Sequence, residues 1–158
     1  MTLENLEDSS LLIDKAYIAG EWVNAQSGAR LAVTNPANGD EIITVPDMGA
    51  ADTEAAIAAA TAALPAWSAR PAKNRSIILR RWFDLLMEAQ EDLAMIMTLE
   101  QGKPLAEARG EIAYGASYIE WFSEEGKRVY GDTIPQPSND KRIICIKQPI
   151  GVVACITP

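Results

Sequence analysis

Histidine is absent from the 158 residues. That excludes a Ser-His-Asp triad, a Cys-His pair, a histidine general base and a histidine-ligated metal. Cysteine is nearly absent. Cys145 and Cys155 sit in the apolar runs RIICIK and VVACIT, with no CxxC, so a redox or zinc motif has no support. They read as small buried hydrophobes on strands. Basic charge is also scarce: 14 Lys and Arg against 22 Asp and Glu give a net charge of -8. No basic patch exists to neutralise phosphates, which argues against nucleic acid and anionic membranes as partners. No run approaches the roughly 20 apolar residues of a membrane span. The acidic start MTLENLEDSS is unlike an export signal, so the expected location is the cytoplasm. GxGxxG and Walker phosphate loops are missing as well.

What is present follows an α/β order. Tyr17-Ile18 and Trp22-Val23 flank Gly20-Glu21, a tight hairpin. Leu31 to Thr34 and Glu41 to Val45 flank NPANGD, where Asn38-Gly39 tolerates positive φ, and Pro46 stops the second strand. Alanine dominates 51–64, a helix expected to pack closely on a neighbour, with Asp52 and Glu54 favourable at its positive end. A linker around Trp67 precedes a second helix, Lys73 to Ala89, with a stripe of Ile78, Trp82 and Leu85. A third runs from Glu91 to Gln101, carrying Leu93, Ile96 and Met97, and Gly102 suits its end. A long fourth helix spans Pro104 to Tyr130 on a stripe of Leu105, Ala108, Ile112, Ala116, Ile119 and Phe122. Gly110 and Gly115 within it suggest close packing by another element. The acidic runs QED and SEEGK read as solvated faces. DTIPQPSND reads as a loop. Lys141 to Gln148 reads as a strand with charged ends, and Gly151 to Thr157 as a strand buried on both faces of a parallel sheet. Such a strand needs flanking partners, so the sequence reads as the front portion of something longer.

The segments YIAGEWV, VTNPANGDEI, PAWSARPAKNRSIILRRW, TLEQGKPLAEARGEI, YIEWFSEEGKRVYGDTIP and KQPIGVVACITP follow in register from about residue 15 onward. In this order they resemble the N-terminal part of the aldehyde dehydrogenase superfamily. EQGKP, EWFSEEGKR and YGDTIP are most similar to the bacterial succinate-semialdehyde dehydrogenases. The resemblance implies the front part of a dinucleotide-binding domain: hairpins, a helical layer, then the first strands of a parallel sheet. It divides the chain into 1–137 of that domain, an oligomerisation strand over 138–149, and the first Rossmann-like strand over 150–158.

The resemblance also implies oxidation of an aldehyde to a carboxylate with NAD or NADP, through attack of a cysteine thiolate. An oxyanion-holding asparagine and a glutamate-activated water complete that chemistry. No residue of this chain matches those catalytic positions. Neither Cys145 nor Cys155 has the nucleophile's context, so 1–158 alone is expected to be inactive. Ile156, Thr157 and Pro158 match the strand end that meets the cofactor ribose and nicotinamide. As residues they equally suit a strand packed in a sheet core. Tyr114, Tyr118 and Trp121 share one helix face, and the resemblance places that face at the substrate entrance; core packing is the other reading. Thr34 and Glu100 match positions some relatives use for a monovalent cation, although a turn residue and a helix-end carboxylate explain them as well, and no metal ligand is assigned. Implied partners are a small aldehyde and further copies of the chain, as a dimer or tetramer. The competing expectation is a non-catalytic interaction module built from the same fold.

Overall fold

The computed structural model describes residues 3–157. The element order is β1 (Ala16–Ile18), β2 (Glu21–Val23), β3 (Arg30–Thr34), β4 (Glu41–Pro46), α1 (Ala50–Ser68), α2 (Ala72–Glu88), α3 (Gln90–Gln101), α4 (Leu105–Glu125), β5 (Asp132–Ile134) and β6 (Ile143–Cys145), preceded by two 3-10 turns. The hairpins-then-helices order expected from the sequence is what forms.

Each strand pairs with one neighbour, giving three antiparallel ribbons among the described residues. In the β1–β2 hairpin Ile18 pairs Glu21, so the turn is Ala19-Gly20, one residue earlier than the sequence reading. Both turn residues have positive φ (56° and 90°), the type I′ pattern that suits strand twist. Strands β3 and β4 carry a register shift between Val33 and Thr34. Their loop closes through Gly39 N–H on the Asn35 carbonyl at 2.7 Å.

Helix α1 begins where Asp52, one turn in, accepts the Gly49 N–H at 2.9 Å and the Gln26 N–H at 3.1 Å. One buried carboxylate therefore caps the helix and ties it to the β2–β3 connection. The helix continues through Pro65 to Ser68 rather than stopping at residue 64. Pro65 removes one N–H, but its helix is largely exposed and the freed carbonyl can meet water. For the same reason, the expected close packing of the alanine face does not occur within this chain.

Helices α2, α3 and α4 form the packed layer, with α4 lying against both others. Small side chains make its centre: Ser76, Ala94, Ala108, Ala116 and Ser123 are buried. They let the helices approach closely, while Leu99 adds the larger apolar bulk. The predicted α4 stripe holds through Ile119 and then slips. Phe122 is 57 % exposed and Ser123 is 0 % exposed, because 116, 119 and 123 keep the helical spacing better than 122. Helix α4 also ends at Glu125, short of the expected Tyr130. Beyond Gly126 the bonds tighten to Lys127 N–H on Glu124 and Arg128 N–H on Glu125, a three-residue spacing that unwinds the helix.

The end of the chain departs most from expectation. Strand β6 is three residues long and pairs with β5, a strand inside the segment read as a loop. Residues 151–157 have no regular structure and are largely exposed, since nothing among the described residues flanks them. Cys145 and Cys155 are exposed rather than buried. Nothing approaches the Cβ positions of Gly110 and Gly115, so those glycines face open space. The accessible surface is 11439 Å². Compact proteins of this chain's mass, 17.1 kDa, expose about 7,750 Å². Among the described residues, no helix is long and apolar enough to cross a membrane.

Candidate functional site

An open groove of about 800 Å³ runs over α2 and α4. That is within the size range of small-molecule sites, roughly 300–1,000 Å³. Tyr114, Tyr118 and Trp121 line one part of it. Their i, i+4, i+7 spacing places them on one face of α4, as the sequence indicates, and all three are exposed. The two phenol rings meet edge to face, with centroids 5.1 Å apart, and their hydroxyls share a 2.7 Å hydrogen bond. That bond holds the Tyr114 hydroxyl above the ordinary phenol range, helped by Tyr118 charge, slight desolvation and Glu111.

The other part of the groove is charged, and two of its residues, Glu124 and Glu125, belong to the run read as a solvated face. Arg80 on α2 reaches Glu120 on α4 at 2.8 Å and Asp84 at 3.1 Å, and its guanidinium lies over the Phe83 ring. Glu120 is forty positions from Arg80, so no local spacing could have paired them. Arg128 meets Glu125 at 2.6 Å. Glu124 is bound by Lys127, which holds its carboxyl below the usual range, with Arg128 and Arg80 adding to the effect. Both arginines that line the groove are thus already paired. The groove can stack an apolar or carbonyl-bearing body against aromatics and offer a phenol hydroxyl. It presents no unpaired lining cation, among the described residues, for a carboxylate.

The other sequence candidates lie elsewhere. Ile156 and Thr157 are exposed in the irregular end segment and do not line this groove. Pro158 lies outside the described residues. Without a flanking strand or phosphate-binding turn, Ile156 and Thr157 do not form a dinucleotide cradle by themselves. Thr34 and Glu100 are both exposed, and the described residues contain no cluster of three or more Cys, Asp or Glu able to hold a metal. Cys145 and Cys155 do not line the groove either. Asp92, read as surface charge, is instead buried. It accepts the Glu7 and Asp8 N–H groups at 3.0 and 2.8 Å.

The aldehyde dehydrogenase family profile matches residues 22–158. The chain belongs to the aldehyde dehydrogenase family. The succinate-semialdehyde dehydrogenase [NADP(+)] of Escherichia coli is 65% identical over 153 residues, 97% of this chain and 32% of that protein. A glutarate-semialdehyde dehydrogenase of Pseudomonas putida is 63% identical over the same shares of the two chains. The crystal structure of succinate-semialdehyde dehydrogenase from Burkholderia pseudomallei superposes with a TM-score of 0.91 at 58% identity, over 93% of this chain and 30% of that one. This aldehyde dehydrogenase chain therefore spans about a third of the length of the curated relatives it matches.

Proposed function

We propose that the chain supplies the hairpin-and-helix portion of an NAD(P)-dependent aldehyde dehydrogenase. Its substrate is a short aldehyde with an acidic group at the far end, succinate semialdehyde first. The observation that carries this reading is the 65% identity to the E. coli succinate-semialdehyde enzyme across nearly the whole chain. Identity to the glutarate-semialdehyde relative is almost as high. The two named substrates differ by one methylene, worth about 1–3 kcal/mol in a fitted pocket. The shared class is thus a better-supported assignment than either member.

In this reading Tyr114, Tyr118 and Trp121 form one wall of the substrate entrance. They stack on the aldehyde's carbon chain and steer its carbonyl inward. The carboxylate is held by cations outside this chain, since Arg80 and Arg128 are already paired. The attacking cysteine also lies outside it, because neither Cys145 nor Cys155 borders the groove. Ile156, Thr157 and Pro158 would meet a bound NAD or NADP, which would supply the hydride acceptor. The exposed ribbon around Ile143–Cys145 is the edge through which copies assemble as a dimer or tetramer.

A chimera tests the reading. This chain replaces the matching region of the E. coli relative, and NADPH formation is followed with succinate semialdehyde. Turnover within about tenfold of the parent is expected. A chimera that assembles like the parent but does not turn over would refute it. The isolated 158 residues should show no turnover with either dinucleotide. The large exposed surface favours one second reading, a non-catalytic interaction module. A monodisperse oligomer of the isolated chain in light scattering supports that module, and aggregation argues against it.

A further inference from the structure

The N-terminal segment carries a device unrelated to the aromatic groove, and the inference does not rest on the proposed activity. Residues 3–12 fold into two short turns through bonds such as Leu6 N–H on Leu3 and Leu12 N–H on Ser9. Asp8 caps the second turn, accepting from the Ser10 backbone N–H at 2.9 Å and its hydroxyl at 2.6 Å. Two adjacent backbone donors, Glu7 and Asp8, then reach the two oxygens of Asp92 on α3. Asp92 is only 6 % exposed, so the bonds form where water competes poorly. Beside them lies a second concavity of about 540 Å³, lined by Leu11 together with Trp82 and Leu85 of α2 and Leu93 of α3.

The charges around this concavity all have one sign. Glu7, Asp8, Glu88 and Asp92 line it, and no Lys or Arg does. Glu88 is partly offset by Arg81 at 3.3 Å, and the neighbouring Glu91 is held by Arg109. Closing the segment onto the helices therefore gathers like charges while it satisfies two N–H groups and covers apolar surface. Repulsion between such partly exposed groups is long-ranged at low salt and is screened within about 10 Å at 0.1 M. The two bonds to Asp92 are short-ranged and are screened far less.

We propose that residues 7–12 are a strap that closes over the Trp82–Leu85–Leu93 face, with Asp92 as its catch, and that ionic strength sets how far it is closed. The strap opens as a unit at low salt and exposes that half-covered face further, while the α2–α3–α4 layer stays folded.

Hydrogen exchange on the intact chain tests this, with α4 amides as the internal reference. Between about 20 and 500 mM NaCl the Glu7 and Asp8 amides should slow roughly fivefold relative to α4. Asp92→Ala should speed both amides about tenfold at either salt and leave α4 unchanged. Glu7→Gln removes an exposed like charge without touching the catch, and should slow the Asp8 amide at low salt. Salt-independent exchange at Glu7 and Asp8 would overturn the proposal. So would an unchanged rate in Asp92→Ala, or an equal loss of α4 protection, which would make Asp92 a core residue. Faster exchange in Glu7→Gln, or uniformly fast exchange throughout the chain, would overturn it too.

Discussion

Gly102 closes α3 with φ 78°, and its N–H donates to Thr98 at 2.9 Å. A Cβ at this position would meet Pro36 Cγ at 2.9 Å. Gly102→Ala therefore incurs two separate costs. The left-handed backbone costs about 1–2 kcal/mol for a residue with a Cβ. The contact is well inside the 3.5–4.0 Å optimum for carbon pairs, and overpacking of this kind costs about 1–3 kcal/mol. The expected loss is about 2–5 kcal/mol, a large share of the 5–15 kcal/mol typical of a folded chain. Urea unfolding followed by circular dichroism should show the midpoint falling by about 1–2.5 M at an m-value near 2 kcal/mol/M. A mutant cycle separates the two costs. Pro36→Ala in the Gly102→Ala background should recover the contact part, with a coupling of about 1 kcal/mol or more. Gly102→Asn should retain the contact cost and lose most of the backbone cost, since Asn visits that region readily. A loss in Gly102→Ala below about 0.5 kcal/mol, or no coupling to Pro36, would refute the argument that the 35–40 loop is pressed onto this helix end.

Three further outcomes follow from the geometry. Gly131→Ala places a Cβ against the Cys145 carbonyl, where backbone rather than a flexible side chain must move, so β5 and β6 should separate. Loss of exchange protection at Thr133 and Ile144, without change in α4, checks it. Thr98 has a buried hydroxyl with no hydrogen-bond partner among the described residues. Thr98→Val should thus raise stability by about 1 kcal/mol in urea unfolding. Tyr114 has its pKa raised above the usual 10.0, first by its bond to Tyr118. Its contribution to stability is therefore complete below pH 10 and is lost as pH rises through the folded-state value. Ultraviolet titration should show a late-ionising tyrosine that returns to the ordinary range in Tyr118→Phe.

Helix α2 shows why periodicity located elements better than faces. Two apolar series run along it at helical spacing. Ile78, Trp82 and Leu85 form one, and Leu79, Phe83 and Leu86 the other. The structure leaves the first more exposed than the second. Nothing within α2 distinguishes them; the helix packed against it is α4, remote in sequence. Asp92 was misread for a similar reason. Its partners are backbone groups 84 and 85 positions away, which no local charge pattern reveals. The short ribbon β5–β6 carries no alternation to detect, and residues 151–157 are apolar enough for a buried strand but have no neighbours here to bury them. The aromatic face was legible because i, i+4, i+7 is a local relation. The charged half of the same groove was not, because it is assembled from two helices.

The helical layer hides alanine and serine, while the chain as a whole leaves its indoles half exposed. Trp22, Trp67, Trp82 and Trp121 account for the chain's four tryptophans, and all four are among its exposed large residues. Indole emission shifts to the blue when water leaves the ring. The folded chain alone should consequently show only a partial blue shift from its unfolded state. A larger blue shift would report the covering of those rings rather than folding. Circular dichroism and emission should therefore respond differently to unfolding of one sample, the first strongly and the second weakly.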